Sequence, residues 1–288
     1  MSGDCTADDR TADDRTALGG EQWRLIRSGP ANGVWNMAVD LALLSSAIQG
    51  GPPALRIYSW RPAALSLGYN QDVAVVERTA VIAAKVDVVR RPTGGRAVLH
   101  DDEVTYSIAL PPGHPLAQTG IQASYKALSQ GLLAGLTQLG LHCELAQPQH
   151  SGAVVRPRAA GGGAFAACFD APSWYELVVN GKKVVGSAQV RRRGALLQHG
   201  SIPLHLAGER LYHLLAFSDE EARRQSARMF SRKAAGLCEV ASAEISPEQV
   251  EAALISGFTC GLGLQLTPGE LNEQELEQAN NFMVEVIA

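Results

Sequence analysis

Two residues in this sequence place a nucleophile and a cation at short spacing, Cys168 and Lys183. A lysine ammonium near a thiol lowers the pKa of that thiol, and the thiolate is the nucleophilic form of cysteine. The same ammonium can donate a hydrogen bond to the oxyanion that forms when a carbonyl group is attacked. Taken alone, a cysteine among alanines and phenylalanines is more often a buried, inert core residue. The pair predicts thiol-based acyl chemistry, with an inert Cys168 as the alternative.

A β-hairpin is predicted to hold Lys183. Residues 175–179 and 182–185 are rich in valine and flank Asn180-Gly181, a dipeptide suited to the positive φ angles of a two-residue turn. This turn sets Val178 opposite Lys183. Period-2 alternation then predicts that Lys183 shares a face with Val185, Ser187 and Gln189. The chain has five lysines against twenty arginines, so a Lys-Lys pair inside this hairpin indicates a specific role.

Length and composition predict a folded chain with a disordered start. The 288 residues are 46% hydrophobic, enough to bury a core in one large or two small domains. Residues 1–20 repeat Thr-Ala-Asp-Asp-Arg at 6–10 and 11–15 and hold almost nothing that packs, which predicts a disordered tail. This segment has no secretory-signal pattern, and no apolar run reaches eighteen residues, so no membrane association is predicted.

Cysteine usage and charge limit the cofactor and partner classes. Five scattered cysteines form no C-x-x-C pair and favour a reducing cytoplasm, and the absence of H-E-x-x-H or a Cys/His cluster in the sequence predicts no metal site. Residues 85–193 carry twelve Lys or Arg and seven Asp or Glu, a net charge of +5 within a chain of −4. This region favours an acidic protein partner, with a merely solvated face as the alternative. Nucleic acid is not predicted, because no aromatic stacking motif accompanies the basic residues.

Strand patterns dominate up to residue 204, and helical patterns follow. A first strand is predicted at Trp23–Ile26, with the fold beginning at Glu21, and a helix after it is predicted to be capped by Asn36. Further strands are predicted at 55–60, 65–69, 86–91, 97–100, 103–110, 141–146 and 195–204, and helices at 121–139, 207–216, 219–229, 247–260 and 270–284.

Six short motifs follow one another along residues 23–204. They are Asn36-Met37-Ala38 with Asp40, Arg56 to Trp60, Leu65 to Gly68, the run RRPTGGRAVLH at 90–100, Lys183 with Gly186-Ser187-Ala188, and His199-Gly200-Ser201. This ordered set resembles the lipoate-protein ligase and octanoyltransferase superfamily. Within that superfamily, ACFDAPSWYEL followed by KKVVGSAQ resembles the cysteine-dependent octanoyltransferases.

The resemblance implies a fold, a reaction and a site. The implied fold is an α+β catalytic domain at 21–204 related to biotin and lipoate ligases, with mixed, largely antiparallel sheets packed with helices, and a helical C-terminal extension at 205–288; the strand-rich pattern up to residue 204 agrees with it. The reaction is transfer of octanoyl from octanoyl-acyl carrier protein to a lysine of a lipoyl domain, such as glycine-cleavage H protein, in lipoate biosynthesis. Cys168 and Lys183 would be catalytic, and no cofactor is implied. The implied substrate-binding residues are Arg91, Gly94, Gly95, Arg96, His100, Gly186, Ser187, Ala188 and His199.

Two departures from the family pattern favour transferase over ligase. ATP-using members usually have a third glycine where Arg96 stands and a Gly-Asn pair where this chain has Glu103-Val104. A carboxylate near nucleotide phosphates is electrostatically unfavourable without a metal. The alternatives are an ATP-dependent lipoate ligase, a lipoyl-domain amidotransferase with the same cysteine chemistry, and a non-catalytic module that binds an acylated carrier.

Overall fold

The computed structural model describes residues 18–146 and 175–288, which form twelve strands and nine helices. The strands are β1 (Gln22–Ala31), β2 (Ala54–Trp60), β3 (Ala64–Leu67), β4 (Asp87–Arg90), β5 (Val98–His100), β6 (Glu103–Leu110), β7 (Cys143–Ala146), β8 (Glu176–Val179), β9 (Lys182–Lys183), β10 (Gly186–Arg192), β11 (Ala195–Pro203) and β12 (Gln265–Gly269). The helices are α1 (Gly33–Ile48), α2 (Arg78–Ala84), α3 (Pro115–Gln118), α4 (Ile121–Gln138), α5 (Gly208–His213), α6 (Glu220–Lys233), α7 (Leu237–Val240), α8 (Pro247–Leu262) and α9 (Glu273–Phe282).

A mixed six-stranded sheet forms the centre of the molecule, in the order β10-β11-β6-β2-β1-β12. The β1 strand runs parallel to β2 and β12, and the other pairings in this sheet are antiparallel. Two three-stranded sheets, β4-β3-β5 and β7-β8-β9, flank it. The predicted α+β class with mixed, largely antiparallel sheets is confirmed.

Helices cover both faces of the central sheet, as strand alternation requires. Along β6, Tyr106 and Ile108 pack in the same core as α4 and α8, whereas Ala109 packs in the core that includes α1 and α9. The α4 and α8 helices approach each other closely where Gly131 faces Gly257. A side chain at Gly257 would not fit, because its Cβ would lie 2.4 Å from the carbonyl oxygen of Gly131. In the part of the chain that the structure describes, none of the helices is both long and apolar enough to cross a membrane.

The start of the fold differs from the prediction in two details. Leu18 is buried in the core, so ordered packing begins before Glu21. The residue that caps α1 is Asn32, whose side-chain oxygen accepts a hydrogen bond from the Trp35 amide at 2.8 Å, and not Asn36. Asn36 lies inside the helix, fully buried, where its amide group donates to the backbone oxygens of Ala31 and Ser59.

The chain after residue 204 contains a strand that the sequence analysis missed. β12 has the sequence QLTPG, whose proline and glycine are not typical of a strand, yet it pairs with β1 at the edge of the central sheet. The remaining elements of this region are helical, as predicted, and α8 packs against α4. The division of the chain into units at residue 204 stays a prediction.

Candidate functional site

A pocket lies between the central sheet and the β4-β3-β5 sheet. Six of the residues predicted to bind substrate line it: Arg91, His100, Gly186, Ser187, Ala188 and His199. Met37, Tyr58, Trp60 and Val98 add apolar surface. Three residues predicted for the same role, Gly94, Gly95 and Arg96, do not line the pocket and lie in the turn beside it. Its mixed apolar and polar lining fits a site for a small organic group.

Under the pocket lies a buried ion pair between Asp40 on α1 and Arg56 on β2. The Arg56 guanidinium donates to Asp40 Oδ1 at 2.9 Å, and both side chains are fully buried. It also donates to the Asn36 side-chain oxygen at 2.7 Å. The hydroxyl groups of Tyr58 and Ser107 donate to the same carboxylate at 3.0 and 2.8 Å. Such a fully partnered carboxylate provides a fixed negative charge beneath the pocket.

His199 connects this carboxylate to the pocket. Its Nδ1 lies 2.8 Å from Asp40 Oδ2, and its Nε2 lies 2.7 Å from Thr93 Oγ1. Burial lowers the pKa of His199 despite the opposing effect of Asp40, so the imidazole is neutral at neutral pH. Burial opposes ionisation of Asp40, but the hydrogen bond from His199 and the charge of Arg56 hold its pKa below the ordinary value. Neutral His199 therefore donates from Nδ1 to Asp40 and accepts the Thr93 hydroxyl at Nε2.

We expect the free energy of unfolding to decrease as the pH falls below 6.5, the ordinary pKa of histidine. The unfolded chain binds a proton at His199 before the folded protein does, because the folded-state pKa is lowered. The stability that Asp40 contributes is present above its ordinary pKa of 3.8 and is lost as the pH falls through the lower folded-state value. Urea unfolding at a series of pH values measures this loss.

The His199→Gln variant tests the origin of that pH dependence. It should flatten the part of the curve just below pH 6.5, whereas His213→Gln, at an exposed position, should leave the curve unchanged. An identical pH dependence in wild type and His199→Gln would show that titration of His199 does not contribute.

His100 anchors the opposite wall of the pocket and stacks on Trp60, with ring centroids 4.0 Å apart. Its Nδ1 lies 2.8 Å from Glu103 Oε1, and its Nε2 lies 2.8 Å from Ser66 Oγ. Glu103 is itself buried and also accepts hydrogen bonds from the hydroxyl groups of Thr105 and Ser201. The carboxylate that distinguishes this chain from the ATP-using family pattern thus holds His100 in place.

Arg91 fixes the glycine turn at the rim of the pocket. Its guanidinium donates to the backbone oxygens of Gly94 and Arg96 and, on the other side, to Ser66. Gly95 adopts φ +97°, which strongly favours glycine. The backbone of this turn crosses Gly68 so closely that a Cβ on Gly68 would lie 1.9 Å from the Gly95 oxygen. Both glycines are therefore required for the path of the turn.

The hairpin around Lys183 has the predicted register. Val178 pairs with Lys183 and Val179 with Lys182, and Asn180 and Gly181 have the positive φ angles of the expected turn. Lys183 is only 5% exposed, and its Nζ donates to Glu176 Oε1 at 2.7 Å. Glu176, on the neighbouring strand, was not identified from the sequence, although its place in the predicted hairpin could have suggested the ion pair.

The predicted alternation from Lys183 to Gln189 is wrong. β9 ends at Lys183 and belongs to the β7-β8-β9 sheet, whereas β10 begins at Gly186 and belongs to the central sheet. The two residues between them, Val184 and Val185, are both buried, so the chain changes sheets there and the period of two is interrupted. Cys168 lies outside the described residues.

Ser187 and its neighbours form a hydrogen-bonded wall of the pocket. The Ser187 hydroxyl lies 2.8 Å from the Tyr106 hydroxyl, and its backbone oxygen accepts from Tyr125 at 2.8 Å. Burial raises the pKa of Tyr106 to about 12, so the phenol stays protonated at neutral pH. Gln198 donates to the same phenol oxygen at 2.9 Å. These contacts fix the position of β10 on the pocket side.

One residue of the basic region has a structural role. Arg191 donates to the backbone oxygens of Leu116, Ala117 and Thr119 at the C-terminal end of α3. Arg193, two residues along, is exposed. Any docking of an acidic partner at this region therefore involves Arg193 more directly than Arg191.

Comparison with known proteins identifies the class to which this fold and pocket belong. The sequence matches the family described as lipoyl protein ligase A/B catalytic domain over residues 32–259. The chain belongs to this family, as the motif resemblance predicted.

Two relatives narrow the class. The chain is 45% identical over 270 residues to octanoyltransferase LipM of Kyrpidia tusciae, covering 93% of this chain and 97% of the relative. It is 41% identical over 262 residues to octanoyltransferase LipM of Bacillus subtilis, covering 89% and 92%. These relatives confirm the predicted acyltransferase class, with octanoyl transfer in lipoate biosynthesis as the activity.

Solved structures share the fold at lower sequence identity. A bipartite lipoate protein ligase from Thermoplasma acidophilum, described with its E2 lipoyl domain, superimposes with a TM-score of 0.72 at 23% identity, covering 93% of this chain and 92% of that one. A lipoate-protein ligase A bound with ATP superimposes with a TM-score of 0.70 at 22% identity, covering 92% and 95%. At this level of identity the likeness establishes the fold alone.

Proposed function

We propose that this octanoyltransferase moves octanoyl from the thioester of acyl carrier protein to the ε-amine of a lipoyl-domain lysine, through a thioester on Cys168. The observation that carries the proposal is the convergence of six predicted binding residues, from four separate segments of the chain, on one pocket. Lys183 lies shortly before the pocket-lining residue Gly186, at the end of a rigid hairpin.

The first chemical step exchanges one thioester for another. The Cys168 thiolate attacks the carbonyl carbon of the donor, and Lys183 donates a hydrogen bond to the resulting tetrahedral oxyanion. Collapse of this intermediate breaks the carbonyl–sulfur bond of the donor, and the carrier leaves as a thiolate that takes up from solvent the proton that Cys168 lost on ionisation. Because a thioester replaces a thioester, the step is nearly neutral in free energy.

The second step transfers the acyl group to the acceptor. The neutral ε-amine of the acceptor lysine attacks the Cys168 thioester, the carbon–sulfur bond breaks, and the amine proton returns to the thiolate. The amide product is more stable than the thioester, so this step makes the overall reaction favourable. Neither step requires a nucleotide, since the donor thioester is already activated.

The pocket supplies binding of the acyl group rather than proton transfer. Met37, Trp60 and Val98 offer apolar contact to an alkyl chain. The hydrogen bonds of His199 and His100 to protein partners occupy both nitrogens of each ring, which suits positioning roles. We assign Arg91, Gly94, Gly95 and Arg96 to the turn that shapes the entrance, and Gly186, Ser187 and Ala188 to the opposite wall.

Glu103 supports a transferase rather than a ligase. Its buried carboxylate is hydrogen-bonded to His100 at the wall of the pocket. This negative charge would repel the phosphate groups of a nucleotide bound nearby. The partners follow from the reaction: an octanoylated carrier as donor, and a lipoyl domain such as glycine-cleavage H protein as acceptor. A cytoplasmic location stays a prediction from the cysteine usage.

Omission of ATP tests the proposal directly. With octanoyl-acyl carrier protein and an acceptor lipoyl domain, the enzyme should form the octanoyl amide at the same rate with and without ATP and Mg²⁺. Mass spectrometry of the acceptor measures the product. Transfer from free octanoate that requires ATP would establish a ligase instead, and transfer only from an octanoylated lipoyl domain would establish an amidotransferase.

A further inference from the structure

A cluster of three metal-ligating side chains lies outside the acyl pocket. Among the described residues, His205, Cys238 and Glu244 place an imidazole nitrogen, a thiol sulfur and a carboxylate oxygen within 4.8 Å of one another. His205 follows β11, Cys238 is on α7, and Glu244 precedes α8. Because His205 lies 33 residues before Cys238, the spacing of histidines and cysteines along the chain predicted no metal site. The folded chain nevertheless brings them together.

The backbone holds two of these residues in fixed positions. The Cys238 amide donates to the Leu204 oxygen at 3.0 Å, next to His205. At Gly236, a Cβ would lie 2.3 Å from the Leu204 oxygen, so α7 begins in direct backbone contact with this segment. The Leu206 amide donates to Glu239 of the same helix at 2.9 Å. These backbone contacts therefore keep His205 and Cys238 close together whichever rotamers their side chains adopt.

The His205 ring is oriented by a carboxylate on its other side. Its Nδ1 lies 2.6 Å from Asp102 Oδ2, which directs Nε2 towards Glu244 at 3.4 Å from Oε1. In a tetrahedral zinc site, a nitrogen and an oxygen ligand at their usual metal distances are about 3.4 Å apart. A carboxylate that receives the second N–H of a ligating histidine is a common feature of metal sites. The spacing between His205 and Glu244 and the contact with Asp102 both fit this arrangement.

We propose that His205, Cys238 and Glu244 bind a divalent transition-metal ion of the zinc class, with Asp102 as the orienting partner of His205. A thiolate, an imidazole and a carboxylate together favour binding of zinc over binding of magnesium or calcium. His205 and Glu244 are exposed and Cys238 is partly exposed, so the ion has access and water completes its coordination. Binding releases the Cys238 thiol proton and links the start of the C-terminal helical region to the end of β11.

Cobalt(II) substitutes for zinc and reports the ligands by its spectrum. Adding Co²⁺ to the purified protein should produce a thiolate-to-metal charge-transfer band with the intense visible bands of tetrahedral coordination, and Zn²⁺ should abolish both. Cys238→Ala should remove the charge-transfer band, and Asp102→Asn should weaken Co²⁺ binding by roughly 10- to 100-fold. Cys143→Ala, whose cysteine lies on β7 outside the cluster, should retain the band at full intensity.

A second measurement guards against variants that do not fold. Zn²⁺ should raise the Tm of the wild-type protein, since it binds only the folded cluster, and should leave the Tm of the surface variant Glu244→Gln less affected. Circular dichroism establishes that each variant is folded. A charge-transfer band that survives in Cys238→Ala would assign the metal to a different thiol, and no band with no Tm increase in the wild type would show that the cluster binds no metal; either result would overturn the proposal.

Discussion

Replacing Cys168 with alanine is expected to abolish octanoyl transfer and the acyl-enzyme together. When wild-type enzyme is mixed with octanoyl-acyl carrier protein and no acceptor, the thioester on Cys168 has no amine to attack it and can only hydrolyse or revert. Intact mass spectrometry should then show one octanoyl adduct that hydroxylamine removes. Peptide mapping should place the adduct on Cys168, and the Cys168→Ala protein should show neither adduct nor product.

Cys143 provides the matched control for this experiment. It lies on β7, half-buried, and burial raises the pKa of its thiol to about 11, so little of it is thiolate at neutral pH. Cys143→Ala should therefore keep both the adduct and the transfer. Transfer that persists in Cys168→Ala would contradict an acyl-enzyme on Cys168. A wild-type protein that binds the carrier but transfers no octanoyl would indicate a binding module.

The parts of the fold that local sequence signals specify were predictable. Asn180-Gly181 fixes a two-residue turn, so the pairing of Val178 with Lys183 followed from the sequence alone. The β2, β6 and β11 strands of the central sheet and the long α4 helix also followed from periodicity, with boundaries within one residue, whereas β1 extends five residues past its predicted end and β10 was not predicted as a separate strand. These features depend on neighbouring residues and hence on information within a short window.

The parts that depend on distant contacts were not predictable in the same way. β12 contains a proline and a glycine, which disfavour a strand. It forms a strand because it pairs with β1, which lies near the other end of the sequence. Asn36 resembles a helix cap in its local sequence. In the structure its side chain instead accepts a hydrogen bond from Arg56 and donates one to the backbone of β2. The partners of Asp40, Arg56, His199 and Thr93 are equally remote, so motif order identified several of the residues but not their hydrogen bonds.

Lys183→Ala is expected to lower the rate of octanoyl transfer by roughly 100- to 1000-fold, the usual loss when one oxyanion donor is removed. The buried ammonium of Lys183 is held by Glu176 at 2.7 Å, so it is positioned before substrate binds. Lys182 is the matched control, because it is adjacent in β9 but more exposed. Single-turnover transfer from octanoyl-acyl carrier protein, compared between Lys183→Ala and Lys182→Ala, measures the difference.

Glu176→Gln separates positioning of the lysine from its charge. The amide keeps the size of the side chain but loses a charge-assisted hydrogen bond, which contributes about 1.5–3 kcal/mol in typical cases. We expect kcat to fall by roughly 10-fold or more with little change in KM, whereas Glu144→Gln, at an exposed position on β7, should behave as wild type. Equal and small effects of Lys183→Ala and Lys182→Ala would show that Lys183 only stabilises the hairpin. A loss in Lys183→Ala without any loss in Glu176→Gln would show that Lys183 acts in catalysis and that other contacts position it.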